Sequence, residues 1–79
     1  MNPPSVPKWQ YLFLTAAWDG GWRPRWVNDA ELPDWNTGPS LFSYVDQLGE
    51  EGWELVLTPD WVGAPDSQAR RMVFKRQKA

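Results

Sequence analysis

The spacing of hydrophobic residues along the chain changes from a period of two to a period near 3.6 and back. Residues 9–17 are apolar on both sides of an expected strand, with Tyr11 and Phe13 on one side and Leu12 and Leu14 on the other. A strand that is apolar on both faces is typical of the interior of a sheet with cover on each side. The pattern therefore predicts that the first strand is an interior strand.

A hairpin is predicted directly after this strand. The run 19–21 reads Asp-Gly-Gly, and such residues favour tight turns because they tolerate positive φ. The returning strand, 22–28, alternates. This alternation predicts Trp22, Pro24 and Trp26 on one face and Arg23, Arg25 and Val27 on the other. Because proline cannot donate to a ladder of hydrogen bonds, we expect this strand at a sheet edge.

One helix is predicted over 40–51. Its apolar stripe consists of Leu41, Tyr44, Val45 and Leu48, at i, i+3, i+4 and i+7. Either Thr37 or Ser40 suits the N-cap. Gly52 suits the left-handed position after the helix, and the hydrophobic contact of a Schellman cap would then join Trp53 to the last residue of the stripe.

Two further strands are predicted at 53–58 and 70–76, separated by a loop at 59–69. In the earlier of these strands, Trp53, Leu55 and Leu57 alternate with Glu54, Val56 and Thr58, and Leu55 is expected to enter the core. In the last strand, Met72 and Phe74 face one way and Arg71, Val73 and Lys75 the other. Residues 29–39 have the composition of a loop.

The predicted fold is therefore a single α+β domain of order β-β-α-β-β, with one helix on one face of a mostly antiparallel four-stranded sheet. The hairpins join strand 1 to strand 2 and strand 3 to strand 4. Whether strand 1 meets strand 3 or strand 4 stays open. Residues 1–7 are expected to form a flexible leader, 8–77 the domain and 78–79 a tail.

Composition excludes several kinds of chemistry. The 79 residues contain no Cys and no His, which excludes disulfides, thiolate zinc sites, cysteine nucleophiles and the commonest general base. Asp34 and Asp60 lie in two Pro-Asp-Trp loops, where turn formation is expected rather than glycosidase chemistry. Asp29, Glu31 and Asp34 likewise indicate a solvated loop rather than a metal site. We expect no enzymatic activity, no cofactor and no metal.

Location is predicted from the absence of targeting signals in the sequence. The opening segment, with its three prolines in 1–7, does not resemble a signal peptide, and no run approaches the roughly 18 apolar residues of a membrane span. A cytoplasmic protein with no membrane contact is expected.

The chain is rich in tryptophan, with seven residues of this type. Three exposed tryptophans would present about 450–750 Å², at or above the largest apolar patch of a usual soluble monomer. The sequence therefore predicts a small protein-interaction or oligomerisation module, either a homodimer or an adaptor for a larger protein partner.

An alternative function is predicted from the distribution of charged residues along the chain. Every acidic residue except Asp19 lies within 27–69, which contains no Lys or Arg, whereas the last ten residues are basic. Basic side chains beside aromatic rings suit single-stranded nucleic acid or a small planar ligand, although the net charge of −2 disfavours nucleic acid. The candidate interaction surface for either function comprises Trp18, Trp22, Trp26, Trp35, Trp61, Arg23, Arg25, Arg71 and Lys75.

The run Leu-Gly-Glu-Glu-Gly-Trp-Glu-Leu-Val at 48–56 resembles the L-G-x-E-G-W-E-L-V signature of a family of small bacterial domains, number 4177 in the series of domains of unknown function. The flanking runs Trp-Gln-Tyr at 9–11 and Val-Phe-Lys-Arg at 73–76 resemble the family's ends. Two parts of the chain depart from the family's pattern, the Trp-rich segment at 18–39 and the long expected loop at 59–69. The resemblance implies a β-β-α-β-β unit in a bacterial or phage setting and brings no catalytic residue.

Overall fold

A computed structural model of the chain describes residues 6–58 and 69–78. Most of the predicted leader, residues 59–68 of the predicted 59–69 loop, and the final residue lie outside these ranges. The described elements are β1 (Trp9–Trp18), β2 (Trp22–Val27), β3 (Ala30–Glu31), a short 3-10 turn (Trp35–Thr37), α1 (Leu41–Glu50), β4 (Glu54–Leu57) and β5 (Ala69–Gln77). The prediction of an α+β fold with one helix is confirmed for the described part of the chain.

The sheet has the strand order β3-β2-β1-β5-β4, and every neighbouring pair is antiparallel. β1 is the central strand, as its two-sided apolar pattern predicts. Its second neighbour is β5, the last strand, so strand 1 meets strand 4 of the predicted numbering. The β1–β5 ladder is long, running from Trp9 opposite Gln77 to Ala17 opposite Ala69.

The sheet has five strands in the described residues rather than the four predicted, because two residues of the expected 29–39 loop form β3. The chain reverses at Asn28, whose φ is 56°. The side-chain Oδ1 of Asn28 also accepts a hydrogen bond of 3.1 Å from the Phe13 backbone N–H. Asparagine tolerates this left-handed conformation through such local bonding. A two-residue strand is too short to show a period of two.

A β-bulge in β2 overturns part of the predicted alternation. Thr15 pairs with Trp26 and Ala16 pairs with Pro24, so Arg25 is the extra residue. Since a bulge shifts the side-chain alternation by one residue, Trp26 and Pro24 lie on opposite faces. Val27, predicted to lie on the opposite face from Pro24, lies on the same face as Pro24 and packs against the core.

The predicted edge position of the second strand holds only for part of β2. β3 pairs with Trp26 and Val27, so β2 is not the outermost strand. Pro24 lies beyond this pairing and is buried. Its missing N–H therefore breaks no strand pairing among the described residues.

The helix begins and ends close to the predicted bounds. Ser40 is the N-cap, and its Oγ accepts a hydrogen bond of 3.2 Å from the Ser43 backbone N–H. Gly52, with φ 89°, follows the C-terminal end. In the described ranges no helix is both long and apolar enough to cross a membrane.

The core lies between α1 and one face of the sheet. It is built on Leu12, Leu14, Leu48 and Phe74, with partly buried Val27, Leu41, Tyr44, Val45, Trp53 and Met72 around them. No polar or charged side chain is buried in the described part of the chain. The predicted faces of β5 are confirmed, because Phe74 and Met72 contribute to the core.

β4 departs from its prediction in two ways. Leu55 pairs with Phe74 but is 44% exposed, so it does not enter the core. The reason is its position on the outermost strand of the described sheet. A second bulge places Leu57 opposite Val73, on the other face from Leu55.

Candidate interaction face of the sheet

The face of the sheet opposite α1 carries uncovered apolar side chains. Antiparallel partners point to the same side, so Trp9, Tyr11 and Phe13 of β1 lie on this side with Val73 of β5 and Leu57 of β4. These five residues define the open face. Tyr11 is 54% exposed, Phe13 46% and Trp9 41%. Among the described residues, this strand, which is apolar on both sides, is therefore covered on only one of them.

The three rings of β1 form a row. Alternate side chains of a strand lie roughly 6.6 Å apart on one face. Lys75 flanks the row, since it pairs with Tyr11 and its Nζ lies 4.4 Å from the centre of the Trp9 ring. Arg71, opposite Thr15, lies further along the same side. The row thus has a basic margin along β5.

Acidic residues lie at the outer margins of the same side. Glu54 of β4 pairs with Lys75, and Glu31 of β3 pairs with Trp26. Trp26 itself pairs with Thr15, which places it on the side of the open face. The aromatic row is therefore surrounded by charges of both signs.

Arg25 is engaged by its own chain. Its guanidinium carbon lies 4.2 Å from the centre of the Trp26 ring and 4.6 Å from that of Trp35. Its Nε also donates to Oε2 of Glu31 across 2.9 Å. This arrangement joins β2, β3 and the 3-10 turn, and it occupies ring surface on which a planar ligand would stack.

Arg23 also contacts a loop. Its Nη1 donates a hydrogen bond of 2.6 Å to the carbonyl of Gly38, and its Nε donates to the carbonyl of Asp19. Two of the four basic candidates, Arg23 and Arg25, are therefore bonded to loop and strand residues of their own chain. Arg23 nevertheless pairs with Ala17, so it lies on the same side of the sheet as Arg71 and Lys75.

The hairpin tryptophans lie at the end of the sheet. Trp18 pairs with Trp22, and their rings meet edge to face at 5.6 Å with an angle of 78°. Arg70 lies over the Trp22 ring at 5.0 Å. Trp18 is 48% exposed. These two residues are grouped with each other but not with the aromatic row.

Among the described residues, five tryptophans have a cation of the same chain over the ring: Trp9, Trp22, Trp26, Trp35 and Trp53. In the described residues no tryptophan is fully buried. The described tryptophans thus lie around the small core that contains Phe74 rather than form it. Trp61, another candidate, lies outside the described residues.

A shallow apolar groove of about 460 Å³ lies on the helix side, lined by Trp22, Ser40, Leu41, Phe42, Val45 and Met72. Phe42 is 84% exposed at this groove. A smaller pocket of about 250 Å³ adjoins Tyr44 and Glu51. Burial raises the pKa of Tyr44, and the negative charge of Glu51 raises it further.

Asp34 and Glu31, which are expected from the sequence in a turn and a solvated loop, both lie in the described part of the chain. Asp34 has φ 54°, and its carbonyl accepts a hydrogen bond of 3.0 Å from the Thr37 N–H, as expected of a turn residue. Glu31 pairs with Arg25. Within 6–58 and 69–78, no three acidic side chains gather as metal ligands. Asp60 lies outside these ranges.

The candidate residues named from sequence missed the aromatic row. Trp9, Tyr11 and Phe13 lie on the opposite side of β1 from Leu12 and Leu14, and this two-sided pattern was the available signal. Phe42 was also missed, because it lies outside the apolar stripe of the helix. Its position off that stripe was the available signal for its exposure.

No protein-family model, curated protein or solved structure matches the chain. The resemblance of 48–56 to the domain family of unknown function therefore stays a prediction. The structure gives this run a role in folding, because Gly52 reverses the chain and the Trp53 N–H donates to the Leu48 carbonyl.

Proposed function

We propose that the chain is a small non-catalytic module that docks onto another protein through its open face. The observation that supports this most strongly is the exposed row of Trp9, Tyr11 and Phe13 at the centre of the sheet. At 41–54% exposure, the three rings present about 300 Å². With Leu57, 54% exposed, the face reaches the size of the largest patch on a usual monomer.

The distribution of polar groups supports a protein partner. Protein interfaces combine an apolar, aromatic centre with a polar rim. The open face has this form, because its rings lie at the centre while Lys75, Arg71 and Glu54 lie beside them. The non-catalytic part of the proposal rests on the lack of His and Cys in the sequence.

A second candidate function is binding of single-stranded nucleic acid at the same face. The observation in its favour is that Lys75 and Arg71 lie along a row of stackable rings. Two observations count against it. Glu54 pairs with Lys75, and the chain carries a net charge of −2, so a polyanion meets repulsion.

Site-specific photo-crosslinking in the native cells tests the docking proposal. A photoreactive phenylalanine analogue is placed at Tyr11, on the open face, and separately at Phe42, which is 84% exposed on the helix side. The Tyr11 probe should give one adduct of discrete mass with a protein, identified by mass spectrometry. The Phe42 probe should not give that adduct.

Two results would contradict the proposal. One is the absence of any protein adduct at Tyr11 in repeated experiments, and the other is the same set of adducts from both probes. Nucleic acid is tested separately by quenching of tryptophan fluorescence with oligothymidylate at low and moderate salt. Saturable quenching that weakens with salt, and that Lys75→Gln reduces, would favour the second candidate.

A further inference from the structure

We propose that the pocket beside Tyr44 binds a small apolar amino acid as a zwitterion, with its carboxylate at Arg76 and its ammonium group at Glu51. The pocket has a volume of about 250 Å³, and all three of these residues line it. Arg76 pairs with Gln10 in the sheet, which places it on the side of Leu12 and the core, away from the open face. The proposal is therefore independent of the docking function.

The guanidinium of Arg76 is held in place by its own chain. Its Nε donates to Oε1 of Gln10 across 2.9 Å, and its Nη1 donates to the carbonyl of Glu51 across 3.0 Å. The guanidinium carbon lies 4.4 Å from the centre of the Trp53 ring. These two hydrogen bonds leave three of the five N–H groups of an arginine for another acceptor. A planar cation fixed in this way is suited to bind a carboxylate.

The carboxylate of Glu51 is the opposite charge at the same pocket. Its Oε2 accepts a hydrogen bond of 3.3 Å from Nε2 of Gln47, another lining residue. Burial, and then the charge of Glu51, raise the pKa of Tyr44, so this carboxylate acts on the phenol at the pocket wall. Glu51 is also the C-cap of α1, where the helix dipole favours a cation. The surroundings of this carboxylate therefore suit an ammonium group.

The two charged side chains do not neutralise each other directly. Within the described part of the chain, the carboxylate of Glu51 forms no ion pair with Arg76, which bonds to the backbone carbonyl of Glu51 instead. A ligand with one charge meets attraction from one of these groups and repulsion from the other. A zwitterion presents a counter-charge to each of them. The charges of the pocket therefore favour a zwitterion over a simple carboxylate or amine.

The size and the apolar part of the lining favour a short apolar side chain on the ligand. Leu12 and Leu48, both buried, line the pocket together with Trp53. At about 30 Å³ per water, the pocket has the volume of roughly eight waters. This is less than the usual site of a drug-sized ligand. Amino acids from alanine to leucine match this space and this lining.

Titration of the unmodified chain with L-alanine, L-valine and L-leucine, followed by ¹H–¹⁵N NMR, tests the site. We expect L-valine to bind with millimolar affinity and to shift the side-chain N–H signals of Trp53 and Arg76. Two analogues of valine lack one charge each: isovalerate lacks the ammonium group and isobutylamine lacks the carboxylate. Each should bind at least about tenfold more weakly than valine, because one charge-assisted contact is lost.

Two results of this titration would overturn the proposal. One is the absence of shifts at Trp53 and Arg76 with all three amino acids up to their solubility limits. The other is binding of isovalerate or isobutylamine as tight as that of valine, which would show that the pocket takes a single charge. Both results come from the unmodified chain, so they do not depend on the folding of a variant.

Charge-removing variants test the two assigned contacts. Glu51→Gln should weaken valine binding at least about tenfold without weakening isovalerate, because only the ammonium group loses its partner. Glu50→Gln removes a neighbouring charge that does not line the pocket and should bind valine like the unmodified chain. Equal weakening by these two variants would overturn the assignment of the ammonium group to Glu51.

Arg76→Gln should weaken valine and isovalerate alike, because both ligands lose the partner of their carboxylate. Arg70→Gln is its matched control, since Arg70 lies on the same strand but does not line the pocket. Circular dichroism checks that each variant is folded. Isovalerate binding that Arg76→Gln leaves unchanged would overturn the assignment of the carboxylate to Arg76.

Discussion

The backbone N–H of Trp53 donates a hydrogen bond of 2.9 Å to the carbonyl of Leu48, and the Trp53 side chain packs against the core cluster to which Leu48 belongs. The bond spans the end of α1 in the pattern of a Schellman cap. A second bond, from the Gly52 N–H to the Gly49 carbonyl, completes the motif at 3.0 Å. The cap thus links the end of the helix, the start of β4 and the core.

Gly52→Ala is expected to lower the free energy of unfolding by about 1 kcal/mol, because Gly52 has φ 89° and an L side chain is strained there. An added Cβ meets no atom within 4 Å, so the backbone conformation alone sets the cost. Urea unfolding followed by circular dichroism measures it.

Gly49→Ala is the matched control. Gly49 lies within α1, and a Cβ there also meets nothing within 4 Å. Alanine in a helix should raise the free energy of unfolding by about 0.5–1 kcal/mol. An equal loss of stability in both variants would contradict the assignment of the strain to the left-handed conformation.

The sequence predicted the features that local chemistry determines. Ser40 and Gly52 each act through residues within one helical turn, so the spacing of a cap and an apolar stripe was enough to place α1. The two faces of β1 followed from a simple alternation. Both predictions needed no knowledge of what lies across the sheet.

The bulge at Arg25 could not be predicted in the same way, because it depends on the partner strand. The register of Thr15 with Trp26 and of Ala16 with Pro24 leaves Arg25 as the extra residue, and the contacts of its guanidinium with Trp35 lie across a loop. A period of two assumes that no residue is inserted. The wrong faces of Trp26 and Val27 follow from that assumption.

Arg25→Lys is expected to destabilise the chain by about 1 kcal/mol although it keeps the charge. The planar guanidinium lies over two rings, and lysine cannot reproduce a planar contact with both. The Arg25–Glu31 ion pair is partly exposed and should contribute less than this. Glu31→Gln, measured alone and with Arg25→Lys by urea unfolding, separates the two contributions. A larger loss from Glu31→Gln would contradict the role of the rings.

Because of Tyr44, we expect the free energy of unfolding to fall at alkaline pH. Burial, and then the charge of Glu51, raise its pKa, so the folded chain favours the neutral phenol. The folded pKa therefore lies above the unfolded value of about 10. The contribution of Tyr44 is complete below about pH 10 and is lost as the pH rises through the folded pKa. We expect Tyr44→Phe to lose less stability than the unmodified chain above this pH.

The phenolate absorbance of a Tyr11→Phe variant measures the Tyr44 titration directly, because the chain has only two tyrosines. Its midpoint should lie above the ordinary tyrosine value. Glu51→Gln in the same background should move the midpoint down, since it removes the second cause of the shift. A midpoint at or below the ordinary value would contradict the burial of this phenol.

Two phenylalanines on opposite sides of the sheet allow a matched comparison. Phe74 is 1% exposed in the core, so Phe74→Ala should lower the free energy of unfolding by about 3–5 kcal/mol. Phe13 is 46% exposed, so Phe13→Ala should cost about 1 kcal/mol or less at concentrations where the chain is a monomer. If the open face is buried in a dimer, the cost of Phe13→Ala must grow with protein concentration, because only the dimer buries that ring. The cost of Phe74→Ala within the protomer core should not change in this way, and urea unfolding at several concentrations measures both. A Phe13→Ala cost that is independent of concentration would show that this ring contributes nothing to association.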